Sequence, residues 1–210
     1  MSRGILTVVS GFSGAGKGTV IKGLLAKYEN YALSVSATTR SPREGEQDGR
    51  EYFFKSREAF EQMIDEDAFI EYAQYVENYY GTPKAYVEEQ LKKGKDVLLE
   101  IEIQGALQIR KKCPDALLVF ITPPNAEILE QRLTGRGTET PEVIAQRMNR
   151  AAEESEGMDA YDYIIINDRL EDCIDEMHQV IQSRHAAVPE KMDFIREIRK
   201  ELKERKECNR

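Results

Sequence analysis

Residues 5–19 read Ile5-Leu-Thr-Val-Val-Ser10-Gly11-Phe12-Ser13-Gly14-Ala15-Gly16-Lys17-Gly18-Thr19, and Val20-Ile21 and Leu24-Leu25 follow at helical spacing. The first five residues are apolar or β-branched without polar alternation, the pattern of a parallel strand covered on both faces. The order is therefore strand, glycine loop, helix. In that context Gly-x-x-x-x-Gly-Lys is a phosphate cradle, because glycines let backbone N–H groups turn inward and a helix N-terminus adds positive potential. Outside it the same glycines would make only a turn. The spacing assigns Gly11, Phe12, Ser13, Gly14, Ala15, Gly16, Lys17, Gly18 and Thr19 to a polyphosphate, with Lys17 reaching its β- and γ-phosphates. The hydroxyl residue usual after the lysine is replaced by Gly18, with Thr19 one place later, so a magnesium contact is expected at Thr19, through water, or at Glu100.

Outward from this loop, apolar strands alternate with helical patterns. Helices are expected at Lys17 to Tyr28, Pro83 to Lys93, Ala106 to Lys112, Asn125 to Leu133 and Pro141 to Glu154. Strands are expected at Leu33 to Ala37, Asp96 to Glu102, Ala116 to Thr122 and Tyr163 to Ile166. A last long helix follows, with Leu170, Ile174, Met177, Val180 and Ile181 on its apolar face. Such alternation implies an α/β fold, a parallel sheet flanked by helices with ligands at the strand carboxyl ends. Two segments interrupt it. Residues 36–83 hold Glu51 to Lys55 and Phe69 to Val76, both better strands than helices, and read as a β-rich lobe. Residues 125–158 are helical around a Gly135-Arg-Gly137 break and read as a lid with hinge glycines. The core is then 1–35, 84–124 and 159–189, and 190–210 a charged helix.

With 210 residues the chain supports one sizeable core. Its formal charge of −8 excludes a general nucleic-acid binder, so an anionic ligand must meet local Arg and Lys clusters. No apolar run reaches the length of a membrane span and the start lacks a signal-peptide plan, so the expected location is cytoplasmic. Cys113, Cys173 and Cys208 stand apart, suggesting neither a disulfide framework nor a zinc site. His178 and His185 join no cluster and are read as surface or packing residues. From Glu190 onward eight Lys/Arg accompany six Asp/Glu. This is either a solvated helix held by pairs four apart or, through Ile195, Ile198 and Leu202, a dimer contact.

The segment Ser36-Ala-Thr-Thr-Arg40-Ser-Pro-Arg43-Glu-Gly45-Glu carries two arginines three apart. Guanidinium forks suit a second phosphate, and the phenol of Tyr52 could add a bond; otherwise this is an exposed basic turn. Glu100 and Glu102 alternate with Leu99, Ile101 and Ile103, which would place both carboxylates on one strand face, either organising a cation or capping the strand in solvent.

These residues, with Tyr79-Tyr80-Gly81, Ile103-Gln-Gly105, Gly135-Arg-Gly137 and Ile166-Asn-Asp168, resemble guanylate kinases over nearly the whole length. The resemblance implies the P-loop nucleoside triphosphate hydrolase fold with an inserted GMP-binding lobe and a helical lid. It implies phosphoryl transfer from ATP to GMP, with dGMP a further acceptor, and magnesium carried as MgATP. By position, Arg40, Arg43, Tyr52 and Tyr80 would hold the GMP phosphate, and Ser36, Glu71, Thr82 and Glu102 the guanine. Arg132, Arg136 and Arg147 would act with Lys17 and Arg40 on the transferred group, and Arg136 and Asn167 would border the adenine. The family favours Asp where this chain has Glu100 and Glu102. Two other readings of the same motifs are a non-catalytic interaction module and a kinase for another monophosphate.

Overall fold

The structure, a computed structural model, describes residues 3–75, 77–135 and 140–208. In chain order the first half holds β1 (Leu6–Gly11), α1 (Lys17–Lys27), β2 (Tyr31–Leu33), β3 (Ala37–Thr38), β4 (Phe53–Phe54), α2 (Arg57–Asp65), β5 (Phe69–Tyr75) and β6 (Asn78–Pro83). The second half holds α3 (Lys84–Lys92), β7 (Asp96–Glu100), α4 (Ile103–Lys112), β8 (Leu117–Thr122), α5 (Ala126–Thr134), α6 (Pro141–Ser155), β9 (Tyr163–Ile166), α7 (Leu170–Arg184) and α8 (Met192–Cys208).

A five-stranded parallel sheet has the order β2-β7-β1-β8-β9. Its central strands β1, β7 and β8 are mainly apolar because alternate residues enter different cores, while the edge strand β9 buries only Ile165. Val9, Leu117, Val119 and Ile121 pack under α1 and α7 with Val20, Ile21, Leu24, Ile174 and Met177. Their neighbours Val8, Val97, Leu99 and Leu118 pack on the opposite face with Val87 and Leu91 of α3 and Ala106 and Ile109 of α4. This is the period-2 division expected of a doubly covered parallel sheet. The register aligns the carboxyl ends: Val9 lies beside Glu100, Gly11 beside Ile121, and Thr122 beside Ile166. The loops after β1, β7, β8 and β9 therefore share one edge, where ligands of such sheets bind.

A second sheet, order β4-β3-β6-β5, lies within residues 37–83. It carries its own small core of Ala37, Phe60 and Phe69. Phe60 comes from α2, a helix absent from the sequence expectation of a β-rich segment. Ser56 caps it, accepting from the Ala59 N–H at 3.2 Å, and Phe60, Met63 and Ile64 turn toward the small core at helical spacing. Helices α5 and α6 bring Leu129, Leu133 and Ala151 against Phe12 and Phe120.

Four further expectations change. Leu33 to Ala37 is not one strand, because β2 ends at Leu33 and β3 starts at Ala37 in the other sheet. Between them the Ser34 N–H donates to the Leu98 carbonyl at 2.8 Å, the last hold on the parallel sheet. Only Phe53–Phe54 of the expected Glu51 to Lys55 strand is extended into the ladder. Strand β7 stops at Glu100 and α4 starts at Ile103, so Glu102 is a helix N-cap residue and does not share a strand face with Glu100. Leu170 is 37% exposed, and the covered face of α7 is Cys173, Ile174, Met177 and Ile181.

The two histidines do join clusters. His185 Nε2 lies 2.8 Å from Asp96 Oδ1, and His178 stacks on Tyr28 at 3.7 Å while its Nδ1 meets the Tyr31 hydroxyl at 2.7 Å. Asp96 has no exposed surface. It also accepts from the Ile5 N–H, Asn30 and Gln182 at 2.8, 3.0 and 3.2 Å, tying α7 to the amino ends of the strands.

Candidate active site

The glycine loop crosses from β1 to α1 by two left-handed residues, Gly14 at φ 93° and Gly16 at φ 89°. A side chain would be strained at both, and at Gly16 a Cβ would stand 2.6 Å from Asn167 Nδ2. No side chain caps α1, and the N–H groups of Ser13, Gly14 and Gly16 have no carbonyl partner among the described residues. That leaves a concavity of backbone donors at a positive helix end. Lys17 Nζ curls back over the loop, donating to the carbonyls of Gly11 at 2.6 Å and Phe12 at 3.2 Å.

Residues of α5, α6 and the end of β9 close around the loop. Arg132 of α5 donates to the Asn167 carbonyl at 2.8 Å and to the Ala15 carbonyl at 3.5 Å. Asn167, just past β9, donates its own amide to the Ala15 carbonyl at 2.8 Å. Arg147 of α6 donates to the Ser13 hydroxyl. Arg136 lies outside the described residues.

Glu100 ends β7 beside the helix start, with Oε2 only 3.9 Å from where a Gly18 Cβ would stand. Thr19 is exposed one position round the helix, so it is Gly18 that stands against Glu100. One carboxylate next to a phosphate cradle fits magnesium, which keeps several waters and takes few protein ligands beside nucleotide phosphates. Among the described residues no group of three or more His, Cys, Asp or Glu side chains could hold a metal by itself.

In the small lobe Arg40 follows β3 and is mostly enclosed. Its Nη2 donates to both oxygens of Glu46 at 2.9 and 3.0 Å, and its guanidinium lies 5.3 Å from the Tyr52 ring centre. The hydrogen bond from Arg40 holds the Glu46 carboxyl below the usual range, and the same bond raises the guanidinium. Glu46 also accepts from the Arg43 N–H at 2.7 Å, fixing the turn that presents both arginines, and the Arg43 side chain is exposed. Tyr52 and Tyr80 meet edge to face at 6.1 Å.

Glu71 on β5 is only 8% exposed. It accepts from the Thr82 hydroxyl of β6 at 2.7 Å, and its other oxygen is 3.7 Å from where a Gly105 Cβ would stand. Burial raises its pKa despite the hydroxyl. A buried carboxylate with one oxygen engaged and an absent side chain next to the other is an acceptor for a neutral ligand's donors. Ser36 is half-buried, its carbonyl engaged by the Phe53 N–H at 2.9 Å. Glu102 points away from burial at 74% side-chain exposure and pairs with Arg150 of α6.

The turn from β7 into α4 thus adjoins two regions: Glu100 faces Gly18 of the phosphate loop, and Gly105 faces Glu71 of the small lobe. Sequence reasoning missed Glu46 and Arg150 as participants. The signal for Arg150 was its place three residues after Arg147 on one helix, which puts the two on the same face.

A family model described as Guanylate kinase matches residues 3–184. A guanylate kinase of Latilactobacillus sakei subsp. sakei is 49% identical over 94% of this chain and 98% of its own. One of Streptococcus thermophilus is 54% identical over 89% of this chain and 90% of its own. Among solved structures, guanylate kinase from Anaplasma phagocytophilum superposes with a TM-score of 0.68 at 32% identity, covering 89% of each chain.

Proposed function

The chain belongs to the guanylate kinase family, and on that premise we propose that it transfers the γ-phosphoryl group of ATP to GMP, giving ADP and GDP. The observation that carries the reading is the shared turn between β7 and α4, which adjoins a lysine-bearing phosphate cradle on one side and the buried Glu71–Thr82 pair on the other.

The cradle, residues 11–19, takes the ATP phosphates on its free N–H groups and on Lys17, which turns from its loop carbonyls to the β- and γ-oxygens. Asn167 borders the adenine side. Glu100 is the carboxylate that would hold magnesium through water, and the ion would supply neutralisation of phosphate charge there. The small lobe, 36–83, takes GMP. Arg40, Arg43, Tyr52 and Tyr80 bind its phosphate, and Glu71 accepts N1–H and the exocyclic amine of guanine while the hydroxyls of Thr82 and Ser36 complete the base site. Adenine offers no donor at N1, so AMP leaves a buried carboxylate unpaired; sites of this kind discriminate by about 10⁴-fold.

The GMP phosphate is already an anionic nucleophile, so no general base is required and the barrier lies in bringing two anions together. Arg132 and Arg147 of the lid, 125–158, with Arg40 and Lys17 of the other two regions, neutralise that charge, and closure excludes water. Glu102, paired with Arg150, joins the base site when the lid pair opens. No described helix is long and apolar enough to cross a membrane, and a cytoplasmic location beside ATP and GMP belongs to the same reading.

A coupled assay of ADP release with GMP, dGMP, AMP and UMP tests the reading. Turnover with GMP and dGMP far above that with AMP and UMP is expected. Absence of turnover with GMP would return the chain to a binding module, and preference for AMP or UMP would reassign the acceptor.

A further inference from the structure

Helix α8 lies outside the residues matched by the family model and takes its main contacts from the short turn Val188–Lys191 before it. It is 17 residues long, and in proteins most of a helix's stability comes from packing an amphipathic face rather than from propensity. Yet its large apolar residues are open: Phe194 is 62% exposed, Ile198 36% and Leu202 60%. At 100° per residue they form one stripe with Ile195. Glu197, Glu201 and Glu204 run along one flank of the stripe, and Arg199, Lys203 and Lys206 along the other. The ion pairs within the helix, Arg196 with Asp193 at 2.6 Å and Lys200 with Glu204 at 3.8 Å, lie mainly on the far side. Glu201 and Lys206 have no ion-pair partner among the described residues.

We propose that α8 pairs with α8 of a second copy of this chain, stripe to stripe and parallel. The orientation follows from the flanks. A two-fold axis along the helices sets the acidic row of each copy beside the basic row of the other, whereas an antiparallel pair sets acid on acid and base on base. In heptad terms Ile195 and Leu202 occupy a, Ile198 occupies d with Arg205 at the next d, where the apolar seam ends, and Glu201 at g faces Lys206 at the partner's e. The partner is a second copy because each row on this chain is matched by the opposite row on the same chain.

The full chain is examined by equilibrium sedimentation and light scattering across the micromolar range. The expected mass at the upper end is twice the 24.0 kDa of the chain, and a mass of one chain throughout would overturn the proposal. Leu202→Asp should remove the dimer while leaving the thermal transition of the catalytic core in place. Glu201→Lys and Lys206→Glu should each raise the dimer dissociation constant about tenfold, since each turns two symmetry-related attractions into repulsions. Mixing the two single variants, or combining both changes in one chain, should restore association, because each 201–206 contact again joins opposite charges. A single variant that dimerises better than the native chain would show an antiparallel pair, in which Glu201 meets like charge, and would refute the orientation; failure of the mixture to associate would do the same.

Discussion

Replacing Glu71 by Gln should separate recognition of GMP from every other property of the enzyme. The carboxylate is 8% exposed, gives one oxygen to the Thr82 hydroxyl at 2.7 Å and has the side chain-free Gly105 next to the other. Guanine donates twice to it, and a hydrogen bond to a charged group contributes about 1.5–3 kcal/mol. Gln keeps one acceptor oxygen, which Thr82 already uses, and turns an amide donor toward the donors of the base. One charge-assisted bond is lost and one donor is left facing another, together about 2–4 kcal/mol, or roughly 30- to 1000-fold in kcat/KM for GMP. The KM for ATP should not move, because the glycine loop makes none of these contacts. Burial raises the Glu71 pKa in the folded protein. Its linked stability is therefore fully present below the unfolded value near 4.5 and is lost as pH rises through the folded one. At pH 7 the ionised carboxylate opposes folding of the free enzyme, so Glu71→Gln should melt at the same temperature or higher. In the native enzyme the KM for GMP should rise as the pH falls toward the raised pKa, and the Gln variant should lose that dependence. Steady-state kinetics with GMP and ATP varied in turn, with thermal melts of both proteins, decide the matter. A loss of less than about threefold in kcat/KM for GMP would refute the assignment of Glu71 to the base.

Lys17→Met should lower kcat by about 10²- to 10³-fold with little change in the KM for GMP, measured by the same coupled assay, as for other charge-stabilising groups at a transition state. Asp96→Ala removes the shared acceptor of the Ile5 N–H, Asn30, Gln182 and His185. It should cost about 3–5 kcal/mol in denaturant unfolding while sparing the kcat of the folded fraction, because Asp96 begins β7 and Glu100 ends it. Gly16→Ala and Gly18→Ala should differ in sign in melts without nucleotide. The first forces φ 89° on a side chain and displaces Asn167, costing at least about 1–2 kcal/mol, whereas the second adds a methyl at ordinary contact distance from Glu100 in a helix and gains up to about 1 kcal/mol.

The catalytic framework was legible because its signals are local. Ile5 to Val9, the glycines and Val20 to Leu25 specify strand, turn and helix within one stretch, and the alternation of strands and helices leaves few ways to build the sheet. Helix α2 was legible too, from Ser56 and the spacing of Phe60, Met63 and Ile64, but the neighbouring strand patterns masked it. Residues near the phosphate loop in sequence were placed correctly at its strand end, while Glu102, two residues beyond Glu100, was not. Period-2 alternation continues through Ile103 on paper, and nothing local in Glu100 to Ile103 says that the helix begins there.

By itself the sequence determined the alternation of strands and helices around the parallel sheet, the phosphate loop and the arginine-bearing turn, since backbone preference and side-chain periodicity belong to the chain wherever it lies. Tertiary structure alone decided what surrounds each charged side chain. Asp96 became a buried hub through partners 91 and 89 residues away, Ile5 and His185. Glu71 became a desolvated acceptor by facing Thr82 and Gly105, and Glu102 was turned outward to Arg150, 48 residues on. Burial and ion pairing are properties of contacts between distant segments, so identical Glu residues acquire different chemistry only when the fold brings those segments together.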